Sequence, residues 1–210
     1  LRDPVSNLFF DAFVILLVVV DPIGLVPIFA SITHGGAPQY RRRMAVQGTI
    51  IAAIILFVFV LAGAAFLRTL GISVPAFQIA GGLLLFLVAV DMVFVRQSGI
   101  RSTTEREQRE AEKKEDVSVF PLAFPLIAGP GALTTVLLMS SKYAVKPYGI
   151  VIVLAVVVAV LLLGLAALLQ AARIMRWMGE TGANVVTRVL GVVLTALAVQ
   201  YVIDGVHAVF

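Results

Sequence analysis

Long apolar runs alternate with short polar connections along this chain. A run of ~20 apolar residues is long enough to cross the hydrocarbon core of a bilayer as a helix. Six such runs can be read: Asn7–Thr33, Met44–Leu67, Val74–Phe94, Val117–Ser141, Tyr148–Ala172 and Asn184–Val206. The pattern therefore predicts an all-α integral membrane protein with six transmembrane helices. The one long polar stretch, Arg96–Asp116, carries six acidic and six basic residues and separates three spans from three. The expected organisation is a three-helix repeat over residues 1–95, a charged cytoplasmic linker over 96–116 and a second three-helix repeat over 117–210.

Two of the runs are interrupted. The first contains Val20-Asp21-Pro22-Ile23-Gly24-Leu25-Val26-Pro27. The fourth reads Phe120-Pro121-Leu122-Ala123-Phe124-Pro125-Leu126-Ile127-Ala128-Gly129-Pro130-Gly131-Ala132-Leu133-Thr134-Thr135. Proline removes a backbone donor and pushes the residue before it out of the α region. In hydrocarbon each freed backbone group costs several kcal/mol unless something satisfies it. A carboxylate such as Asp21 at that depth costs roughly 2.5–3.5 kcal/mol on insertion scales. Spans 1 and 4 are accordingly expected to break in mid-membrane. Pro22 and Pro130 suit the first position of the half-helix that follows, whose free N–H groups and dipole favour an anionic group. Gly24, Gly129 and Gly131 open the backbone to close approach, and Thr134 and Thr135 add hydroxyls one turn on. Asp21 fits two roles: partner of a substrate ammonium or carrier of a coupling proton, or cap of the half-helix that starts at Pro22.

Composition agrees with the membrane reading. The chain is 60% hydrophobic and 13% charged, with mean hydropathy +1.05, whereas soluble domains sit near 45–50% apolar and about 25% charged. With no cysteine, disulfides, thiolate metal sites and thiol catalysis are excluded. His34 and His207 are too few and too far apart for a zinc motif. The net charge of +4 does not point to nucleic acid, because the basic residues follow topology instead. Arg41, Arg42 and Arg43, six Lys/Arg of the long linker, and Arg173, Arg176 and Arg188 place twelve cations on one side, against Arg2, Arg68, Lys142 and Lys146 on the other. By the positive-inside rule the first side is cytoplasmic and both termini face outward.

The halves resemble each other at an offset near 108 residues. Pro22 falls on Pro130, Arg68 on Arg176 and Gly71 on Gly179; after one residue of slip Gly82 falls on Gly191, Val90 on Val199 and Asp91 on Gln200. Three spans per half force opposite orientations, so the repeats would be inverted about an axis in the membrane plane. Many secondary transporters are built this way, with binding at broken helices near the midplane. Gln78, Asp91 and Gln200 are further intramembrane or interfacial polar groups; the two amides suit interhelical hydrogen bonds, and all three are secondary or coupling candidates. Gly81, Gly82, Gly164 and Gly191 suit close helix packing. Trp177 and Tyr148 suit interface anchors.

The Asp21-Pro22-Ile23-Gly24-x-x-Pro27 stretch and the Pro121-Leu-Ala-x-Pro125-x-x-x-Gly129-Pro130-Gly131-Ala132 stretch resemble the two signatures of the MarC/SnatA family, and the likeness covers nearly the whole chain. The resemblance implies a bacterial or archaeal inner-membrane protein, in a family some of whose members transport small neutral amino acids such as glycine and alanine. The family usually has Asn where this chain has Leu25, so the resemblance carries no polar contact to that position. The expected function is a secondary transporter for a small neutral amino acid, working by alternating access. The ligand would bind through Asp21, Pro22, Gly24, Gly129, Pro130, Gly131, Thr134 and Thr135. The alternative is a channel, or an exporter for another small solute. Helix N-termini suit the carboxylate of a zwitterion, and Asp21 or backbone carbonyls suit its ammonium. No cofactor, metal or nucleic-acid partner is expected; proton or sodium coupling is compatible with Asp21, and the sequence does not fix the oligomeric state. An enzyme is not expected, because Asp21, Asp91 and Asp204 lie at depths too different for a carboxylate dyad and no Ser/His pair lies at midplane; no ATP-binding motif such as a P-loop is present either.

Overall fold

The computed structural model describes residues 4–94, 116–144, 146 and 148–209. Among these residues the structure is helical, in the order α1 (Pro4–Val20), α2 (Pro22–Ile32), α3 (Pro38–Thr69), α4 (Val74–Phe94), α5 (Ser118–Ile127), α6 (Pro130–Tyr143), α7 (Gly149–Leu169) and α8 (Ala171–His207). α1 with α2, α3, α4, α7 and the Thr181–His207 limb of α8 are each long and apolar enough to cross a membrane, and α5 with α6 form a sixth, bent span. The charged linker lies outside the described residues except for Asp116. Asp116 accepts hydrogen bonds from the Ser118 hydroxyl at 2.6 Å and the Ser118 amide at 2.8 Å at the entrance to α5. These bonds hold its carboxyl below the usual carboxylate range.

The outer surface is that of a bilayer protein. Ile50, Ile54, Val58 and Leu61 form an exposed stripe along α3, and Leu83, Leu84 and Leu87 do the same on α4. Apolar patches of this extent do not face water in soluble monomers; lipid removes the penalty. Inside, the packing runs mainly between the two halves of the chain. α3 lies against α7, α5 and α6; α1 against α7 and α6; α2 against α8 and α7; and α4 against α8 and α6.

The α4–α8 contact is the most extensive, and glycines make it close. A Cβ added at Gly82 would lie 2.9 Å from both the Ala198 carbonyl oxygen and Val202 Cγ2, and 3.2 Å from Tyr201 Cβ. One added at Gly191 would lie 3.2 Å from the Ala89 carbonyl oxygen, 3.1 Å from Val93 Cγ2 and 3.0 Å from Met92 Cβ. The second set is the first displaced by 109 residues, atom type for atom type. Gly205 meets Ile79 further along, so the two helices run antiparallel. Gly81 also sits in a close contact, against Thr134 of α6. Gly164 does not: an added Cβ there would meet nothing within 4 Å, which corrects its assignment as a packing glycine.

Two connections differ from expectation. Arg41, Arg42 and Arg43 lie inside the first turns of α3 rather than before it, and Arg173 and Arg176 lie within α8. Hydropathy marks where a helix meets lipid, and the helix itself continues past that level. α8 bends at Gly179, with φ 65°, and the turn after α3 uses Gly71, with φ 71°. These two left-handed glycines are the pair aligned in the sequence at the 108-residue offset.

Candidate functional site

The two interruptions are built differently. In the first span the α1 ladder runs up to Asp21, whose amide donates to the Leu17 carbonyl at 2.9 Å, and restarts with the Leu25 amide donating to the Asp21 carbonyl at 3.1 Å. Asp21 takes a left-handed conformation, φ 48° and ψ 69°, and its Oδ1 accepts from the Gly24 amide at 3.0 Å. The carboxylate therefore caps α2, with Pro22 as the first helical residue. A Cβ on Gly24 would overlap the Asp21 carboxylate, so any larger residue there would displace the cap. The break is confined to one residue, and Leu8–Ile32 remains a single span. Asp21 is only 1% exposed.

The fourth span breaks over a longer stretch. Phe120 and Phe124, each before a proline, are extended, as proline demands of the preceding residue, and their peptide bonds to Pro121 and Pro125 are cis. Around them α5 uses wide turns: the Leu122 amide donates to the Val117 carbonyl at 3.2 Å and the Ala128 amide to the Ala123 carbonyl at 2.9 Å. α5 and α6 then meet at 58°. Pro130 opens α6 behind Gly129, and no side chain caps it, unlike α2. The first amides of α6 thus lack an intrahelical partner.

These amides border a small cavity. It is lined by Gly129, Pro130, Gly131 and Ala132, by Pro125–Ile127 of α5, by Val19 of α1, and by Leu85 and Val88 of α4. Its volume is about 20 Å³, the space of about one water. Gly131 keeps it narrow: a Cβ there would overlap Leu85 Cδ1 and lie 3.4 Å from Val19 Cγ1. The end of α1 and the start of α6 are therefore brought together at this point. Val19, two residues before Asp21, lines the cavity; Asp21 does not.

The remaining residues named from sequence are distributed as follows. Thr134 and Thr135 are fully buried on α6. Thr134 fills the notch at Gly81, and the Thr135 hydroxyl lies 3.2 Å from that of Tyr201 on α8. Tyr201 went unnoticed in the sequence; a lone phenol in an apolar span was the available signal, since a buried Tyr hydroxyl generally finds a partner. Leu25 is buried on α2. Gln78 and Asp91 are half-buried on α4, one before and one beyond the Gly81, Leu85, Val88 stretch that meets α6. Gln200 departs from expectation: it is exposed, and its amide donates to Asp204 of the same helix at 2.6 Å instead of bridging helices. It stands apart from the break.

The Thr135–Tyr201 pair yields a prediction. Thr135→Val leaves the buried phenol unpaired, an effect of about 1–3 kcal/mol. Tyr201→Phe leaves a threonine hydroxyl able to turn back to its own helix, and the loss is nearer ~0.6 kcal/mol, the mean for such bonds in membranes. Thermal unfolding in detergent should rank Thr135→Val well below Tyr201→Phe; wild-type midpoints in both variants would show that the bond carries no weight.

A polytopic helical membrane protein with two interrupted spans is thus the class that fold and site define. The model of the MarC family of integral membrane proteins matches residues 6–210, and the chain belongs to that family. It is 36% identical over 202 residues to a UPF0056 membrane protein of Archaeoglobus fulgidus, covering 95% of this chain and 92% of the relative. It is 34% identical over 203 residues to the UPF0056 inner membrane protein YhgN of Escherichia coli, covering 96% and 97%. It is 32% identical over 199 residues to the UPF0056 membrane protein YvbG of Bacillus subtilis, covering 94% and 93%. No solved structure matches the chain.

Proposed function

We propose that this protein is a secondary transporter for a small neutral amino acid, working by alternating access in the cytoplasmic membrane. The observation that carries the proposal is that the break in the first span lies next to the start of α6, with the end of α1 packed against that start. α2 begins at Asp21-Pro22 and α6 at Gly129-Pro130, and the end of α1 touches the start of α6 through Val19 and Gly131. The uncapped amides of α6 suit a carboxylate, and the buried Asp21 carboxylate suits an ammonium. A cavity of about 20 Å³ is too small for even glycine, so binding requires the α1, α4 and α6 walls to part.

The packing supports inverted repeats as the device that parts them. The reciprocal contacts of Gly82 and Gly191 relate two antiparallel helices by a two-fold axis perpendicular to their length. In a membrane that axis lies in the bilayer plane, as in many alternating-access transporters. The left-handed Gly71 and Gly179 support the same pairing. Orientation follows from the arginines: the start of α3 and the α7–α8 corner share one end of the bundle, where Arg41 and Arg42 face Leu168 to Met175. We assign that end to the cytoplasm.

Thermal-shift measurements on purified protein test the substrate class. Glycine, alanine and other small neutral amino acids should raise the unfolding midpoint, whereas acidic, basic and bulky ones should not. A protein stabilised by no neutral amino acid would contradict the proposal.

A further inference from the structure

A second cavity, unused by the transport site, lies at the arginine-bearing end of the bundle. Its volume is about 510 Å³, within the range of pockets that hold small molecules. Phe29, Leu168, Leu169 and Met175 give it apolar walls, and Arg41 and Arg42 of α3 stand at its polar edge. Among the described residues, none that lines it is acidic. The Arg41 Nε donates to the Thr33 carbonyl at 3.3 Å, which holds the guanidinium in place beside the end of α2.

The charges here are poorly matched to their helix. Arg41 closes the first turn of α3, after Pro38, Gln39 and Tyr40, Arg42 comes next, and that turn carries no acidic residue. The N-terminal end of a helix is already electropositive, so cations there are unfavourable and an anion offsets both sources of charge. Arg43 differs from its neighbours. It bonds Gln47 at 3.3 Å, and its charge, after the Ser118 hydroxyl and amide, helps to keep the Asp116 carboxyl ionised. Arg41 and Arg42 face the cavity instead.

We propose that this cavity binds an anionic phospholipid, with the phosphate held between Arg41 and Arg42 and acyl chain lying along Phe29, Leu168, Leu169 and Met175. Guanidinium groups suit phosphate oxygens in geometry and charge. Basic pockets between membrane helices at the cytoplasmic face are where such headgroups bind. A free phosphate ion would use the arginines and leave the apolar walls unoccupied; a phospholipid uses both. The site is independent of whether the protein transports amino acids.

Native mass spectrometry of the detergent-purified chain tests this with phosphatidylglycerol and phosphatidylcholine of identical acyl chains. Two surface-level arginines should favour the anionic lipid about tenfold or more. Arg42→Gln, which leaves the Arg41–Thr33 bond intact, should cut that preference about fivefold. Ala30→Trp keeps both arginines and fills the cavity that Ala30 lines; it should displace the bound lipid. Equal retention of the two lipids by the wild type, or unchanged preference in either variant, would overturn the proposal. So would competition by glycerol phosphate at the same concentration as the lipid, which would mark a site for soluble phosphate.

Discussion

Asp21→Asn should reduce amino-acid transport by about tenfold to a hundredfold while leaving the protein folded in the membrane. The prediction separates the two roles of this side chain. As a cap, Asp21 needs only an oxygen that accepts from the Gly24 amide and a residue that tolerates φ 48°. Asparagine supplies both, since it caps helices as well as aspartate does and visits the left-handed region readily. Because the cap is kept, the unfolding midpoint should stay near that of the wild type. As a ligand group, however, the carboxylate makes a charge-assisted bond to an ammonium, and losing it costs ~1.5–3 kcal/mol, which is the stated range in affinity or rate. Asp21→Ala should do worse on both counts, because it removes the cap and places an alanine in the left-handed region, about 1–2 kcal/mol in stability. Initial uptake rates into proteoliposomes, paired with thermal melts, check this. Wild-type rates in Asp21→Asn would leave the carboxylate as a helix cap alone.

Gly82→Leu should destabilise the bundle by about 1–3 kcal/mol or more, the cost of overpacking a close contact. The first added atom already lies 2.9 Å from a backbone oxygen, the Ala198 carbonyl, which cannot swing aside as a side chain would. Relief requires α4 and α8 to separate along their shared face. Gly191→Leu should be nearly as severe, because it meets Ala89, Met92 and Val93 in the reciprocal arrangement. Gly164→Leu is the control: nothing lies within 4 Å of its added Cβ, and its midpoint should stay close to wild type. Melting temperatures of the three variants in one detergent decide the matter. A Gly164→Leu midpoint as low as that of Gly82→Leu would remove close α4–α8 packing as the explanation.

Much of the architecture is legible from apolar length and proline placement, because both act locally. Val74–Phe94 is delimited in the sequence as it is in the structure, and the interruptions at Asp21-Pro22 and Gly129-Pro130 fall where proline removes a donor. The start of α3 was less legible: the helix begins at Pro38, six residues before Met44, because charged residues such as Arg42 extend a helix beyond the lipid without altering its hydrogen bonds. Contacts set by tertiary geometry were invisible. Gln200 reads as a lone amide in need of a neighbouring helix, but it faces outward and reaches Asp204 one turn along its own. The Thr135–Tyr201 bond joins residues 66 apart in sequence, and nothing local marks it. The Asp21 cap lies between these cases. An aspartate before proline with glycine three residues on carries the signal of a cap, yet the left-handed turn that brings carboxylate to amide appears only in three dimensions.

The central claim is that the break in the first span and the start of α6 form a carrier site for a small neutral amino acid. Counterflow in proteoliposomes tests it most directly. Vesicles containing the purified protein are loaded with unlabelled alanine or glycine and diluted into a trace of the labelled amino acid. The label should accumulate transiently above its equilibrium level, saturate with concentration, and fail to accumulate in vesicles bearing Asp21→Asn. Label that merely equilibrates at the rate of protein-free vesicles, for every small neutral amino acid tried, would contradict the account.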